Sequence, residues 1–200
     1  MSHKLPKPPK RIGDGLHGTP DIYDDNGQVW FINGNNLGNQ TITFKSDTKR
    51  LSVSERDKYQ NLKLDCNTIL ISLNGSYGET SFYNGEDVLL GKSAGYIILN
   101  PDVDKHFIRW FLQSNSVKME LDLSLSGTTI ANVSLFTLNN LTILYPNASE
   151  QQRISSYLTS VINDIDDLIT VKQTMADKLR EYRRSLISEA VTGKFKVPGV

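Results

Sequence analysis

Residues 150–191 read EQQRISSYLTSVINDIDDLITVKQTMADKLREYRRSLISEAV, a run with no glycine or proline before Gly193. Apolar side chains recur at Ile154, Leu158, Val161, Ile165 and Leu168, then at Met175, Leu179, Tyr182 and Leu186. The spacing alternates four and three if Lys172 occupies the remaining slot. That is the narrow seam of a coiled coil rather than the wider apolar face of a helix lying on a domain. Ser149 and Gln152 stand at capping-box spacing just after Pro146, and Gly193 is a natural stop. The pattern predicts one helix about 60 Å long at 1.5 Å per residue. Alone it would expose too much apolar surface, so it requires another helix as partner.

Charge is unevenly distributed along this segment. Residues 147–171 carry Glu150, Asp164, Asp166 and Asp167 against Arg153, a net of −3. Residues 172–200 carry Lys172, Lys178, Arg180, Arg183, Arg184, Lys194 and Lys196 against Asp177, Glu181 and Glu189, a net of +4. Two copies laid antiparallel would set acidic beside basic at both ends, whereas parallel copies would repel; the other reading of these charges is a solvated charged face. Lys172, near the midpoint, is the kind of polar seam residue that fixes register at some cost in stability.

Upstream the pattern changes to short β-type runs separated by Gly, Asn and Asp turns. Strands are predicted at 28–32, 41–44, 68–73, 80–83, 88–90, 96–99 and 141–145. Asn74-Gly75 and Asn84-Gly85 mark hairpins or tight turns. Two helices interrupt the strands. One covers 52–59, opened by Ser52 and Glu55 at capping-box spacing; the other covers 104–116, with Phe107, Ile108, Phe111 and Leu112 on its buried stripe. Residues 1–11 form an extended cationic leader, since Pro6, Pro8 and Pro9 forbid a helix. The fold class is therefore α+β: a β-rich globular domain over 1–147, a long coiled-coil helix over 148–193 and a short tail over 194–200.

Composition bounds the function only loosely. The 22 basic and 22 acidic residues cancel, so bulk charge makes no case for a polyanionic partner; a localised basic face is what would matter. The one cysteine, Cys66, excludes an internal disulfide and is expected to be a buried small hydrophobe. With no apolar leader and no run of membrane-spanning length, a soluble cytoplasmic chain is expected.

Enzyme motifs are missing or malformed. Gly91-Lys92-Ser93 looks like the end of a phosphate-binding loop, yet Glu86 stands where the first glycine is required, and Gly85 is one residue too far. His3, His17 and His106 are far apart in sequence, which supports neither a metal site nor a histidine-based triad; His17 reads as a turn residue. What remains is a set of Asn, Ser and Thr residues in loops: Asn33, Asn35 and Asn36; Asn74, Ser76 and Tyr77; Ser126, Thr128, Thr129 and Asn132. Such side chains can read base edges or bond phosphates, and they are also what ordinary turns are made of.

Taken in order, several segments resemble one half of the specificity subunit of a type I restriction-modification enzyme. They are Gly18-Thr19-Pro20, Phe31-Ile32-Asn33-Gly34-Asn35-Asn36-Leu37, Asp65 with Ile69-Leu70-Ile71-Ser72, Asn74-Gly75 and Gly78, and Gly95 with Ile97 and Leu99. Ser126-Gly127-Thr128-Thr129 and Asn132-Val133-Ser134 follow. The C-terminal block is Pro146, Glu150-Gln151-Gln152-Arg153-Ile154, Glu181-Tyr182-Arg183, Leu186-Ile187 and Ala190-Val191-Thr192-Gly193-Lys194. The resemblance covers one target recognition domain and one helical region, where the family usually carries two of each.

The resemblance implies a non-catalytic, DNA-binding, sequence-reading role. Methylation would belong to a modification subunit holding S-adenosylmethionine, and ATP- and Mg-dependent translocation and cleavage to a restriction subunit. This chain itself would bind no cofactor or metal. A half-length chain would restore the two-domain arrangement as an antiparallel homodimer reading an inverted repeat with a spacer. Phosphate contacts are expected from Lys10, Arg11, Lys45, Lys49, Arg50 and Lys92. Base contacts are expected from Asn33, Asn35, Asn74, Ser76, Tyr77 and Thr128. The seam residues Ile154, Leu158, Val161, Ile165, Leu168, Lys172, Met175, Leu179, Tyr182 and Leu186 would make the dimer. The alternative is a scaffold protein with a coiled-coil arm and no DNA role.

Overall fold

The computed structural model describes residues 2–4, 12–59, 63–125, 131–144, 146–194 and 198. The chain divides into two compact units, Met1–Ser155 and Ser156–Val200. The elements of the first unit begin with β1 (Ser2–Lys4), β2 (Ile12–Asp14) and β3 (Val29–Ile32). A 3-10 turn (Gly34–Asn36) leads to β4 (Leu37–Gly38), β5 (Thr41–Ile42), β6 (Arg50–Leu51) and α1 (Val53–Tyr59). Then come β7 (Thr68–Ser72), β8 (Thr80–Phe82), β9 (Val88–Leu90) and β10 (Ala94–Ile98). The unit is completed by α2 (Lys105–Leu112), α3 (Asn115–Ser124), α4 (Leu135–Asn140), β11 (Thr142–Leu144) and the start of α5 (Ala148–Val191).

The central strand, β7, reads Thr-Ile-Leu-Ile-Ser, and all five residues are buried. A strand covered on both faces needs no polar alternation. Its period of two sorts the side chains. Ile69 and Ile71 enter a core with Ile97, Phe107, Ile108, Leu112, Leu121, Leu138 and Ile143. Leu70 points the other way, into a core with Ile32, Leu37, Val88, Leu90 and Ala94. β7 lies between β10 and β8 in a four-stranded antiparallel sheet, β2-β10-β7-β8. A second sheet, β6-β3-β9, carries the one parallel pair among the named strands, Trp30↔Val88 through Ile32↔Leu90. β1 pairs with β11 and β4 with β5.

Several local expectations change. The helix expected over 104–116 is two helices. Asp104 caps α2 by accepting the Phe107 N–H at 2.7 Å, and Ser114 caps α3 by accepting the Val117 N–H at 3.4 Å. The break lets Val117 and Leu121 bury on a new axis, each 2% exposed. α3 runs on to Ser124, past the bound expected for that helix, and α4 stands where the sequence pattern predicts no helix. Before α1, Ser52 Oγ accepts the Glu55 N–H, but Glu55 does not close the box. Its carboxylate accepts from the Asp21 and Ile22 N–H groups, the Lys58 ammonium and the Tyr59 hydroxyl instead. Cys66 is exposed, not buried.

The long helix runs Ala148–Val191, about 66 Å at 1.5 Å per residue. Its cap is Asn147, whose Oδ1 accepts the Glu150 N–H at 3.0 Å, rather than Ser149. Gly193 at φ +70° closes it as expected. The Gly193 N–H donates to the Ala190 carbonyl and the Lys194 N–H to that of Glu189, the paired bonds of a Schellman stop. The first two turns belong to the domain. Gln151, 2% exposed, accepts the Asp104 N–H at 3.0 Å and donates to the Pro146 carbonyl at 2.8 Å. Ile154 packs on the core beside it. Among the described residues no helix is long and apolar enough to cross a membrane.

Candidate nucleic-acid interface

Three chain segments converge where β3 and β7 end and β10 begins. The Gly34 N–H donates to Ser93 Oγ at 2.9 Å, and that hydroxyl donates to Asn33 Oδ1 at 3.1 Å. The Leu73 N–H donates to the Ser93 carbonyl at 2.9 Å, and Ser72 Oγ to the Asn74 carbonyl at 2.9 Å. Packing here is tight: a Cβ on Gly34 would fall 2.4 Å from Ser72 Oγ and 2.8 Å from the Ser93 carbonyl oxygen. A fourth segment joins through the Val133 N–H, which donates to the Leu73 carbonyl at 2.7 Å, and through an Asn74↔Asn132 bridge. Asn35, Ser76, Lys92 and Asn132 are exposed along these loops, and Asn74 is half-buried.

The second cluster lies on β3 and β6 and the loop before β6. Trp30 and Phe44 stack with centroids 4.8 Å apart and planes 26° apart. The Arg50 guanidinium sits 3.8 Å from the Trp30 ring centre, and the Lys49 ammonium 4.4 Å from that of Tyr23. Each ring contact holds its cation by about 0.5–1 kcal/mol at an exposed site. Lys45 is exposed in the same loop. The acidic residues Asp21, Asp24 and Asp25 border this edge, and the Asp24 N–H donates to the Arg50 carbonyl at 2.9 Å. The patch is therefore mixed in charge, and its cations are spread along rings instead of concentrated.

One buried amide connects the two clusters. Asn36, 4% exposed, accepts the Asn33 N–H at 2.9 Å and donates through Nδ2 to the Thr43 carbonyl and to Thr48 Oγ1, both at 2.9 Å. It thereby fixes the 3-10 turn and the 43–48 loop to one another. Nothing in its sequence neighbourhood separates it from Asn33 and Asn35; only the pairing does.

Of the expected base-reading residues, Asn35 and Ser76 are exposed. Asn33 is half-buried with its side-chain oxygen already bonded to Ser93. Tyr77 donates its hydroxyl to Asp122 Oδ1 at 2.6 Å, tying the β7–β8 loop to α3; this bond raises the phenol's pKa above its ordinary value. Of the phosphate set, Lys45, Lys49, Arg50 and Lys92 divide between the two clusters. Lys10, Arg11 and Thr128 lie outside the described residues.

Two other groups bear on chemistry. Among the described residues no three His, Cys, Asp or Glu side chains converge as a metal site would require. His17 Nε2 and Asp14 Oδ2 are 2.6 Å apart, an exposed pair within the turn that follows β2. Arg109 on α2 is 5% exposed, lies 4.6 Å from the Trp110 ring centre and has no hydrogen-bond partner for Nε among the described residues; burial lowers its pKa.

Comparison with known proteins gives consistent findings. The family described as Type I restriction modification DNA specificity domain matches residues 19–175. The type I restriction enzyme MjaVIII specificity subunit of Methanocaldococcus jannaschii is 26% identical over 148 residues, covering 70% of this chain and 34% of that protein. Among solved structures, a chain from work on complex assembly and conformational transition of the type I R-M system superposes with a TM-score of 0.70 at 19% identity, covering 89% of this chain and 42% of that one. The HsdS subunit from Thermoanaerobacter tengcongensis gives 0.63 at 18% identity, covering 89% and 41%. The chain spans about a third of that curated relative and about two fifths of those solved chains.

Proposed function

We propose, from the premise that this chain belongs to the family of type I restriction-modification DNA specificity domains, that it is the non-catalytic sequence-reading component of such a system. The observation that carries this reading is the extent of the family match. It takes in both loop clusters and runs on into the seam of α5, so the loops and the helix are matched as one unit. Recognition is assigned to Asn35, Asn74 and Ser76, with Lys92 beside them. Phosphate contacts are assigned to Lys45, Lys49 and Arg50 on the second cluster, with Lys10 and Arg11. Asn33 and Tyr77 shape the reading loops through the bonds they already make, and Thr128 stays in the base-reading set.

In this reading the domain binds one half of a split duplex site. The chain pairs with a second copy through an antiparallel coiled coil, and the pair docks a methyltransferase subunit holding S-adenosylmethionine and an ATP-dependent restriction subunit. Side chains reading the major groove supply sequence discrimination, while Lys and Arg contacts to phosphate set register and affinity. The test is selection of bound duplexes from a random pool by this chain together with its modification subunit, repeated across a salt series. An enriched inverted repeat, with affinity falling as salt rises, is expected. Binding without enrichment and without salt dependence would leave the scaffold alternative.

A further inference from the structure

From Ile165 onward the seam residues of α5 other than Lys172 are bare apolar side chains, while Leu158 and Val161 before them are half-buried. Ile165, Leu168, Met175, Leu179, Tyr182 and Leu186 are between 41% and 65% exposed. Two more apolar residues flank Lys172 off the strict seam, Ile169 at 47% and Val171 at 54%. A four-three seam does not explain them. Asp164 and Lys178 are a second irregularity: each stands one residue before a seam position, on the same flank of the stripe, and among the described residues neither makes an ion pair.

We propose that two copies of α5 pair in a single antiparallel register, with the two-fold axis at Thr170 and Asp164 of each copy against Lys178 of the other. This rests on the antiparallel pairing proposed above and adds the register. With the axis there, Ile165 meets Met175 and Leu168 meets Lys172 across the seam, so no layer sets lysine against lysine. Ile169 and Val171 each lie beside their own counterpart next to the axis, widening the apolar surface where the seam itself is polar. The Lys172 stem packs on this surface and its ammonium reaches solvent. Antiparallel coiled coils bring flank positions of the same kind together, which is how Asp164 reaches Lys178 twice per dimer.

Neighbouring registers fail on the same observations. A slip of one heptad in one direction leaves Tyr182 and Leu186 uncovered. A slip in the other sets Asp164 opposite Ser185 and Lys178 opposite Val171, which strips the lysine of its partner. A parallel pair puts Lys172 on Lys172. Self-complementarity of this kind favours an identical helix as occupant over an unlike one: the acidic half has its basic complement in the same sequence.

Disulfide mapping on the full chain tests this, with exposed Cys66 replaced by serine as background. Ile165→Cys/Met175→Cys should oxidise to a covalent dimer; the two thiols are too far apart along one helix to close on themselves. Ile165→Cys alone should stay uncrosslinked. Crosslinking of that single variant would signify a parallel pair and overturn both register and orientation. Preferential crosslinking of Ile165→Cys/Tyr182→Cys would overturn the register while leaving antiparallel pairing standing. A monomer by sedimentation with no crosslink in any variant would overturn the pairing itself. Independently, Asp164→Lys should raise the dimer dissociation constant about tenfold and Asp164→Lys/Lys178→Asp should restore it to within about twofold. Failure of the double variant to restore the dimer would overturn the Asp164–Lys178 contact.

Discussion

The two units of this chain handle the same kind of residue in opposite ways. In the domain, Ile69, Leu70, Ile97, Ile108, Leu138 and Leu141 are at most 1% exposed. Along α5 beyond Ser155, Leu168, Leu179 and Tyr182 are more than 60% exposed. Among the described residues the domain closes three cores, and α5 beyond Ser155 closes none. A side chain that contributes about 1.5–3 kcal/mol on full burial contributes little of this where it stands on α5, and in the proposed dimer it would contribute on pairing. The contrast separates the domain, which buries its own apolar side chains, from the helix, to which the proposal above assigns assembly.

The largest effect expected from breaking this contrast is in the domain. Leu70→Ala empties a site between two sheets and should cost about 2–5 kcal/mol of domain stability by urea unfolding. A loss under about 1 kcal/mol would mean that the second core is not tightly packed. Next is Leu179→Ala on the helix. Alanine keeps the helix propensity, so domain unfolding should move by no more than about 0.5 kcal/mol. The proposed dimer should weaken by at least about a hundredfold in sedimentation equilibrium, since two leucines are lost per pair. A matching drop in domain stability would show that the division between the units is wrong.

Gln151→Ala sharpens the comparison at its boundary. The residue belongs to α5 by sequence and to the domain by contact. Removing it strips the Asp104 N–H and the Pro146 carbonyl of their partner, at about 1–3 kcal/mol. That loss should appear in domain unfolding, with monomer–dimer equilibrium little changed. An effect on assembly alone would assign these turns to the helix instead.

What could be read in advance followed the same division. α5 was legible because its stripe repeats over many turns and ends at Gly193, both local signals. Within the domain, β7 was legible because five consecutive residues favour a strand buried on both faces. The break at Ser114 was not: Val117 and Leu121 extend the apolar pattern of Phe107–Leu112 closely enough to hide a change of axis. The parallel β3–β9 pair depends on residues more than fifty positions apart, and no local period encodes it. The loops were the hardest. Asn33, Asn35 and Asn36 are chemically one residue type in one turn, yet the first bonds Ser93, the second faces solvent and the third holds another loop. Residue type marked the candidate interface without distinguishing its structural members from its exposed ones.

The smallest expected effect lies in Glu55, and its pH dependence shows only in acid. The Lys58 ammonium, aided by the Tyr59 hydroxyl and the Ile22 N–H, holds its carboxyl below the ordinary carboxylate range. A folded-state pKa depressed below the unfolded value of about 4.3 means that the unfolded chain binds the proton first as pH falls. The stabilisation is then complete above that value and is lost as pH falls through the folded-state pKa. Glu55→Gln removes the titration while leaving an amide oxygen for the Asp21 and Ile22 N–H groups. The wild-type unfolding midpoint should therefore fall more steeply than the variant's below about pH 4, with the two curves parallel from pH 6 to 8. Leu179→Ala, measured in parallel, should follow the wild-type acid profile, because this carboxylate fastens the 21–22 segment to α1 within the domain. If the variant lost stability in acid as steeply as the wild type, the acid sensitivity would lie in other carboxylates, and Glu55 would contribute hydrogen-bond geometry alone.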